Sequence, residues 1–123
     1  MDYSLGKEKK LKKRKDIELL FQKGIGKNFF PLRAIYLPQQ EPKNGVKVLF
    51  SVPKKRFKKA VDRNKIKRLL REAYRLNQPK DGPGLHLAFI YVSSELPAKN
   101  SLQIPVMDSL VWIKESFCQD KNA

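Results

Sequence analysis

The sequence predicts a single mixed α/β domain whose elements follow in the order helix, strands, helix, strand, helix. Two kinds of hydrophobic spacing support this class: apolar residues alternate in the strand-length stretches and recur every third or fourth residue in the helical ones. The chain has 123 residues, 41% of them hydrophobic, which is enough for one core without disulfide bonds. We expect the domain to span residues 11–118, between a mobile basic arm over 1–10 and a polar tail over 119–123.

One helix and two strands are predicted in the N-terminal half. A short amphipathic helix is expected over residues 14–23, and Gly24 ends it. Aromatic and branched residues predict a strand over 29–37, and Pro31 indicates that this strand starts at a sheet edge. A polar connection leads to a second strand over 46–52, and we expect these two strands to form a hairpin.

The C-terminal half adds a helix, a strand and a last helix. Residues 60–77 are predicted to be helical because apolar residues recur at i, i+3, i+4, i+7 and i+8 from Ile66. The nearly continuous apolar run over 85–92 predicts a central strand buried on both faces, in which His86 is a core histidine. The last helix is expected to open at Pro105 and to end before the polar tail.

The charge is large and local. With 27 Lys and Arg against 12 Asp and Glu, the formal net charge is +15. Residues 7–15 hold seven basic residues and residues 54–75 hold eleven, whereas acids outnumber bases from residue 81 onward. One interpretation is a solubilising tail and a solvated helix surface. The other, which we favour, is a polyanionic partner, either nucleic acid or an anionic membrane surface.

Several classes of protein are disfavoured by what the sequence lacks. A single cysteine, Cys118, excludes an internal disulfide and is interpreted as an apolar filler or a tail residue. No secretory signal or membrane-length apolar run occurs, so we expect a cytoplasmic protein. One histidine and no cluster of acids or cysteines leave no pattern for a metal or acid–base site. A nuclease that works without help is therefore disfavoured.

The long predicted helix carries the pattern that bears most directly on function. Arg63, Lys67, Arg71 and Arg75 follow at intervals of four, and like charges so spaced repel by a few tenths of a kcal/mol per pair. A binding surface for phosphates explains the pattern, because the guanidinium fork bonds two phosphate oxygens at once. Asn64 either caps the first turn or bonds a base or ribose. A membrane surface is disfavoured because the helix lacks a face rich in Trp and Phe.

Residues 50–75, FSVPKKRFKKAVDRNKIKRLLREAYR, resemble the signature of the bacterial ribonuclease P protein component. In that signature a strand, a Lys-Lys pair, a small residue and an Arg-Asn-x-x-Lys-Arg-x-x-Arg helix follow in order. The opening LKKRKDIELLFQKG, residues 11–24, resembles the family's basic first segment and first helix, and the resemblance covers residues 7–117. Ile17 stands where many members have an aromatic residue, and residues 56–59 form a longer turn than many members have.

The resemblance implies a fold and a function. The fold is an α/β (α+β) two-layer sandwich with a central sheet and a left-handed βαβ crossover around the long helix, which is rare. The function is that of the protein subunit of ribonuclease P, an endoribonuclease that removes the 5′ leader of precursor tRNA. The implied partners are the catalytic RNA and precursor tRNA, without a membrane, and the protein is a monomer bound once per RNA. The RNA carries the chemistry with Mg²⁺ held mainly by RNA and substrate, so the protein alone is expected to be inactive.

The resemblance also assigns binding residues, and none of them is catalytic or metal-binding. The helix residues implied to bind the catalytic RNA are Arg63, Asn64, Lys65, Lys67, Arg68, Arg71 and Arg75. A leader cleft between the first helix and the sheet is implied to contain Ile17, Phe21, Tyr36, Lys54 and Lys55. The basic arm supplies Lys9, Lys10, Lys12, Lys13 and Arg14. Phe21 and Tyr36 have an alternative interpretation as core aromatics, and the alternative function is a basic ribosomal-type or chaperone protein that only binds RNA.

Overall fold

The computed structural model describes residues 11–39, 46–77, 84–98 and 100–122, with side chains as far as Ser116. The predicted arm over 1–10, with Lys9 and Lys10, therefore lies outside the described residues, whereas Lys12, Lys13 and Arg14 lie within them and are exposed. Within them the elements are α1 (Arg14–Lys23), β1 (Ile25–Phe29), β2 (Leu32–Pro38), β3 (Val46–Ser51), α2 (Ala60–Asn77), β4 (Leu85–Tyr91) and α3 (Gln103–Asn122). In the part of the chain so described, no helix is long and apolar enough to cross a membrane.

The four strands form one mixed sheet in the order β1-β2-β4-β3. β4 pairs antiparallel with β2 on one side and parallel with β3 on the other. It is buried along almost its whole length because strands flank it on both sides and helices cover both faces. The prediction of a central strand at this position is confirmed.

The predicted hairpin between the second and third strands is wrong. β4 lies between β2 and β3, so the two strands that seemed to pair are separated by a third. β3 is joined to β4 through α2, and this long connection is required because parallel neighbours cannot be linked by a tight turn. The alternation in β2 and β3 fits any partner in the sheet, and it therefore could not identify the neighbour. The left hand of the crossover stays a prediction.

β1 is an edge strand that the sequence analysis missed. It pairs antiparallel with β2, from Ile25 opposite Tyr36 to Phe29 opposite Leu32. None of its residues is fully buried, so it lacks the alternation that marks a strand. β2 has a partner on each side from its first residue, which corrects the expectation that it begins at an edge: Pro31 lies in the turn between β1 and β2.

The sheet separates two hydrophobic clusters. Leu32, Ala34 and Tyr36 of β2 belong to the main core with α2 and α3, whereas the intervening Ile35 packs with Leu20 of α1. Because successive residues of a strand point to opposite faces, α1 lies across the sheet from α2 and α3. The sheet and the α2–α3 pair form the predicted two-layer sandwich, and α1 covers part of the other face. Each fully buried Leu contributes about 1.5–3 kcal/mol by leaving water.

The helices confirm the periodicity argument with one correction. α1 and α2 have the predicted bounds, and the buried stripe of α2 contains Ile66, Leu70, Ala73 and Tyr74. The last helix begins at Gln103 and continues to Asn122, although it was expected to open at Pro105 and to end before residue 119. Proline fits within the first turn because the amide it lacks has no partner inside the helix there.

Candidate nucleic-acid interface

The loop that precedes α2 is fixed by its own side chains. Phe57 is buried, and its ring centre lies 5.8 Å from that of Tyr91 in the main core. Arg63, in the first turns of α2, donates from Nη1 to the carbonyl oxygens of Phe57 at 2.8 Å and Lys58 at 2.9 Å. The loop therefore holds a defined path.

This fixed loop presents a cationic turn at the end of β3. The Arg56 amide donates to the Pro53 carbonyl oxygen at 3.2 Å, and Arg56 Nη1 donates to Ser94 Oγ at 3.1 Å. Between these anchors Lys54 and Lys55 are exposed. Their ammonium groups can reach a polyanion without any rearrangement of the backbone.

The basic residues of α2 follow one flank of the helix. At 100° per residue, one arc beside the buried stripe contains Asn64, Lys67, Arg68, Arg71 and Arg75, while Arg63 lies in line with the stripe at its N-terminal end. We call these six residues the basic ridge. The ridge lies on the Tyr74 side of the stripe, toward β3, because the ring centres of Tyr74 and Phe50 are 6.0 Å apart. Lys65 is also exposed but lies further round the helix, outside the ridge.

Four cations of the ridge form no ion pair with the described acids. Among the described residues no ion pair involves Arg63, Lys67, Arg68 or Arg71, whereas Arg14 of α1 pairs with Glu18 at 3.2 Å. Asn64 is exposed and lies in the second turn of a helix that begins at Ala60, which excludes the capping interpretation. The ridge therefore offers guanidinium, ammonium and amide donors to an anionic partner.

On the other face of the sheet, α1 covers only part of the strands. The segment that precedes α1 is attached to β3, because the Leu11 amide donates to the Val48 carbonyl oxygen at 3.0 Å. α1 ends at Gly24, where a Cβ atom would lie 2.6 Å from Ile35 Cγ2 and 2.3 Å from the Leu20 carbonyl oxygen. Only glycine allows the end of α1 to approach the sheet so closely.

Part of this face is left uncovered by α1 and the other described residues. One row of paired residues crosses the sheet beyond α1 and contains Ser51, Ile90, Arg33 and Asn28. None of the four is fully buried. β3 ends at Ser51, so the cationic turn with Lys54 and Lys55 lies at the same end of the sheet. We use the name open groove for this row together with that turn.

Phe21 borders the open groove from α1. Asp16 lies on the side of α1 that faces His86, since these two groups interact electrostatically. Leu20 and Ile17 form the side of α1 that packs on the sheet, and Phe21 lies beside them on the flank opposite Asp16, toward Ile90. The side chain of Phe21 is 45% exposed. Ile17 is partly buried against the sheet between these flanks. The structure thus brings Ile17 and Phe21 to the groove.

Tyr36 does not belong to this surface. Its side chain is 3% exposed, and its ring packs edge to face on Trp112 of α3 with centroids 5.1 Å apart. The residue of β2 that faces α1 is the adjacent Ile35. The alternation in the sequence separates these two residues, but it does not say which face α1 covers. The core interpretation of Tyr36 is therefore correct, and Ile90 and Arg33 are groove residues that sequence reasoning missed.

His86 lies on the same face of the sheet as α1, because it alternates with Ala88 and Ile90 of the second cluster. His86 is buried, and desolvation lowers its pKa, while Asp16 raises and Lys47 lowers it by charge. The described residues contain no group of three or more His, Cys, Asp or Glu side chains that could hold a metal ion. The ridge and the cationic turn present ammonium, guanidinium and amide groups, whereas Mg²⁺ is bound through carboxylates and phosphates.

Comparisons with known proteins match this architecture to one family. The family model described as Ribonuclease P matches residues 5–105. A Ribonuclease P protein component from Porphyromonas gingivalis is 37% identical over 119 residues, covering 90% of this chain and 87% of that protein. One from Picosynechococcus is 37% identical over 101 residues, covering 80% and 85%.

Solved structures show the same fold. The Staphylococcus aureus RNase P protein aligns with a TM-score of 0.61 at 24% identity, covering 87% of this chain and 93% of that one. The Thermotoga maritima RNase P protein in complex with 1-(4-fluorophenyl)-2-thiourea aligns with a TM-score of 0.58 at 23% identity, covering 85% and 95%. The extent of the family match and the identity to its members show that this chain belongs to the ribonuclease P protein component family.

Proposed function

We propose that this chain binds the catalytic RNA of ribonuclease P through the basic ridge and the 5′ leader of precursor tRNA through the open groove. In this role it assists the endonucleolytic removal of the leader that gives the mature 5′ end. The observation that carries the proposal is that one domain has two cationic surfaces on different faces. Two RNA molecules can therefore be held at once.

The ridge suits a folded RNA. Its residues Arg63, Lys67, Arg71 and Arg75 follow at intervals of four, so their Cα atoms are about 6 Å apart along the helix axis, close to the spacing of phosphates along an RNA strand. Each phosphate that the ridge neutralises releases counterions, so affinity should fall steeply with salt. Arg63 also holds the loop, which places the cationic turn at a fixed position relative to the ridge.

The groove suits an unpaired strand. Its floor at Ile90 and its wall at Phe21 are apolar, and Lys54 and Lys55 lie at its end. Exposed bases stack on aromatic side chains with about 1–3 kcal/mol per base, and lysines attract the backbone. A duplex buries its base faces by stacking and cannot use such a surface. We therefore assign the groove to single-stranded RNA.

The chemistry is proposed to come from the RNA subunit, and Mg²⁺ to be held mainly by that RNA and the substrate. The protein residues described lack carboxylate clusters for the ion and any activated nucleophile. What this chain supplies is fixed positive charge, which brings two polyanions together at lower Mg²⁺ concentration. We further propose that it acts in the cytoplasm as one protein per RNA.

A pair of α1 variants tests the leader assignment. Phe21→Ala removes the aromatic wall of the groove, whereas Leu19→Ala removes a similarly exposed side chain, 42% against 45%, from the other flank of α1. Affinity of the protein–RNA complex is measured for precursor tRNA and for mature tRNA. We expect Phe21→Ala to weaken only precursor binding, and Leu19→Ala to change neither.

The alternative function predicts a different result. A ribosomal-type or chaperone protein that only binds RNA has no use for a leader, so the parent chain would bind both tRNAs equally. Equal binding by the parent contradicts the proposed function. A preference for precursor that survives Phe21→Ala contradicts the assignment of this groove.

A further inference from the structure

Arg33 occupies an unusual position in the open groove, at the far side from the cationic turn. It lies on β2 opposite Asn28 of the edge strand β1, and its Nη1 donates to Asn28 Oδ1 at 2.9 Å. Asn28 therefore fixes the direction of a long side chain that would otherwise sample many rotamers. Neither residue was part of any site predicted from the sequence.

The guanidinium group lies flat over Gly26. A Cβ atom on Gly26 would be 2.7 Å from Arg33 Nη2, 3.1 Å from Cζ and 3.3 Å from Nε. Cζ is nearer to this point than Nε is, and with the fixed bond angles of a guanidinium these three distances fit only a point outside the plane of the group. One face of the guanidinium therefore covers the bare backbone of β1, and the other face is directed away from the sheet.

An outward guanidinium face is a stacking surface. In RNA recognition, unpaired bases stack on the plane of an arginine guanidinium. The N–H groups in that plane can donate to a phosphate at the same time. Arg33 is the next residue of the row after Ile90, which lies in the middle of the groove. An RNA strand that passes Phe21 and Ile90 therefore reaches Arg33 next. β1 is an edge strand, which leaves this end of the path open.

We propose that Arg33, laid flat over Gly26 and positioned by Asn28, stacks on an unpaired base and extends the leader path onto β1. This inference rests on the proposed function and adds a second stacking residue to it. The ligand is a single-stranded RNA base, because a paired base does not expose its face to a side chain on a flat sheet.

Four variants test the proposal by affinity for precursor tRNA and for mature tRNA, with thermal melting to check the fold. Arg33→Ala removes the group, and Arg33→Lys keeps the charge but not the plane. Gly26→Ala inserts a methyl group that must displace the guanidinium, and only the flexible end of a side chain has to move. Lys27→Ala is the control, because Lys27 lies on the opposite face of β1, over the Phe29 and Trp112 rings.

We expect Arg33→Ala, Arg33→Lys and Gly26→Ala each to weaken precursor binding about tenfold, which is within the range for one lost stack. Mature tRNA binding, the melting temperature and Lys27→Ala should stay at parent values. Parent-like precursor binding by Arg33→Ala, or by Arg33→Lys alone, overturns the stacking assignment while leaving the proposed function intact. If the parent itself shows no preference for precursor, the proposed function fails and this inference fails with it.

Discussion

Replacing Tyr36 with alanine should destabilise the fold and leave the choice of RNA unchanged. The side chain is 3% exposed and packs on Trp112 between the sheet and α3, so the variant loses a buried aromatic ring and leaves a cavity. Such truncations cost about 3–5 kcal/mol of the free energy of unfolding. For a domain of this size about 4 °C of melting temperature corresponds to 1 kcal/mol, so we expect a fall of about 12–20 °C.

The assay combines a thermal melt with affinity for precursor and mature tRNA at a temperature where the variant is folded. Under those conditions the ratio of the two affinities should equal that of the parent. Phe21→Ala serves as the opposite case, with a small change in melting temperature and a changed ratio, because Phe21 is 45% exposed at the groove. A Tyr36→Ala protein that melts like the parent but loses its preference for precursor would refute the placement of Tyr36 in the core.

The remaining predictions concern the ridge, its loop and the buried histidine. Arg68→Ala should weaken binding of the catalytic RNA and reduce the slope of log K against log salt by roughly 0.7–0.9. Lys114→Ala, at an exposed position of α3, should leave the slope unchanged. Equal slopes for both variants and the parent would show that Arg68 contacts no phosphate. Arg63→Ala should lose RNA affinity and also about 1–3 kcal/mol of stability in a urea titration, because two carbonyl oxygens of the loop lose their donor; unchanged stability would show that the loop does not depend on Arg63. Because the pKa of His86 is lowered by burial, its stabilising contribution is complete above about pH 6.5 and is lost as the pH falls through the lower pKa of the folded state. Urea titrations from pH 7.5 to 5 should therefore show a loss of stability in the parent that is smaller in His86→Gln, and equal losses would contradict a buried neutral histidine.

The helices could be predicted from the sequence because their periodicity is local. The stripe from Ile66 to Tyr74 fixes the buried side of α2, and with it the flank that carries the basic ridge. Gly24 marked the end of α1 correctly, and the structure adds the reason, which is its close approach to Ile35. Such patterns need no knowledge of distant parts of the chain.

Strand pairing could not be predicted in the same way. Whether β3 pairs with β2 or with β4 depends on a connection through α2 and on a strand far along the chain. The same limit affected the groove: alternation put Arg33 and Ile35 on one face and Tyr36 on the other, but only the position of α1 shows which face is open. The edge strand β1 gave no signal because neither of its faces is deeply buried.

Cleavage of precursor tRNA tests the central claim most directly. The substrate is incubated with this protein alone, with a bacterial ribonuclease P RNA alone, and with both, across a series of Mg²⁺ concentrations. The account predicts no cleavage by the protein alone, cleavage by the RNA at high Mg²⁺, and cleavage by the pair at a lower, near-physiological Mg²⁺ concentration. Cleavage by rigorously purified protein without RNA, or a Mg²⁺ requirement of the RNA that the protein leaves unchanged, would contradict it.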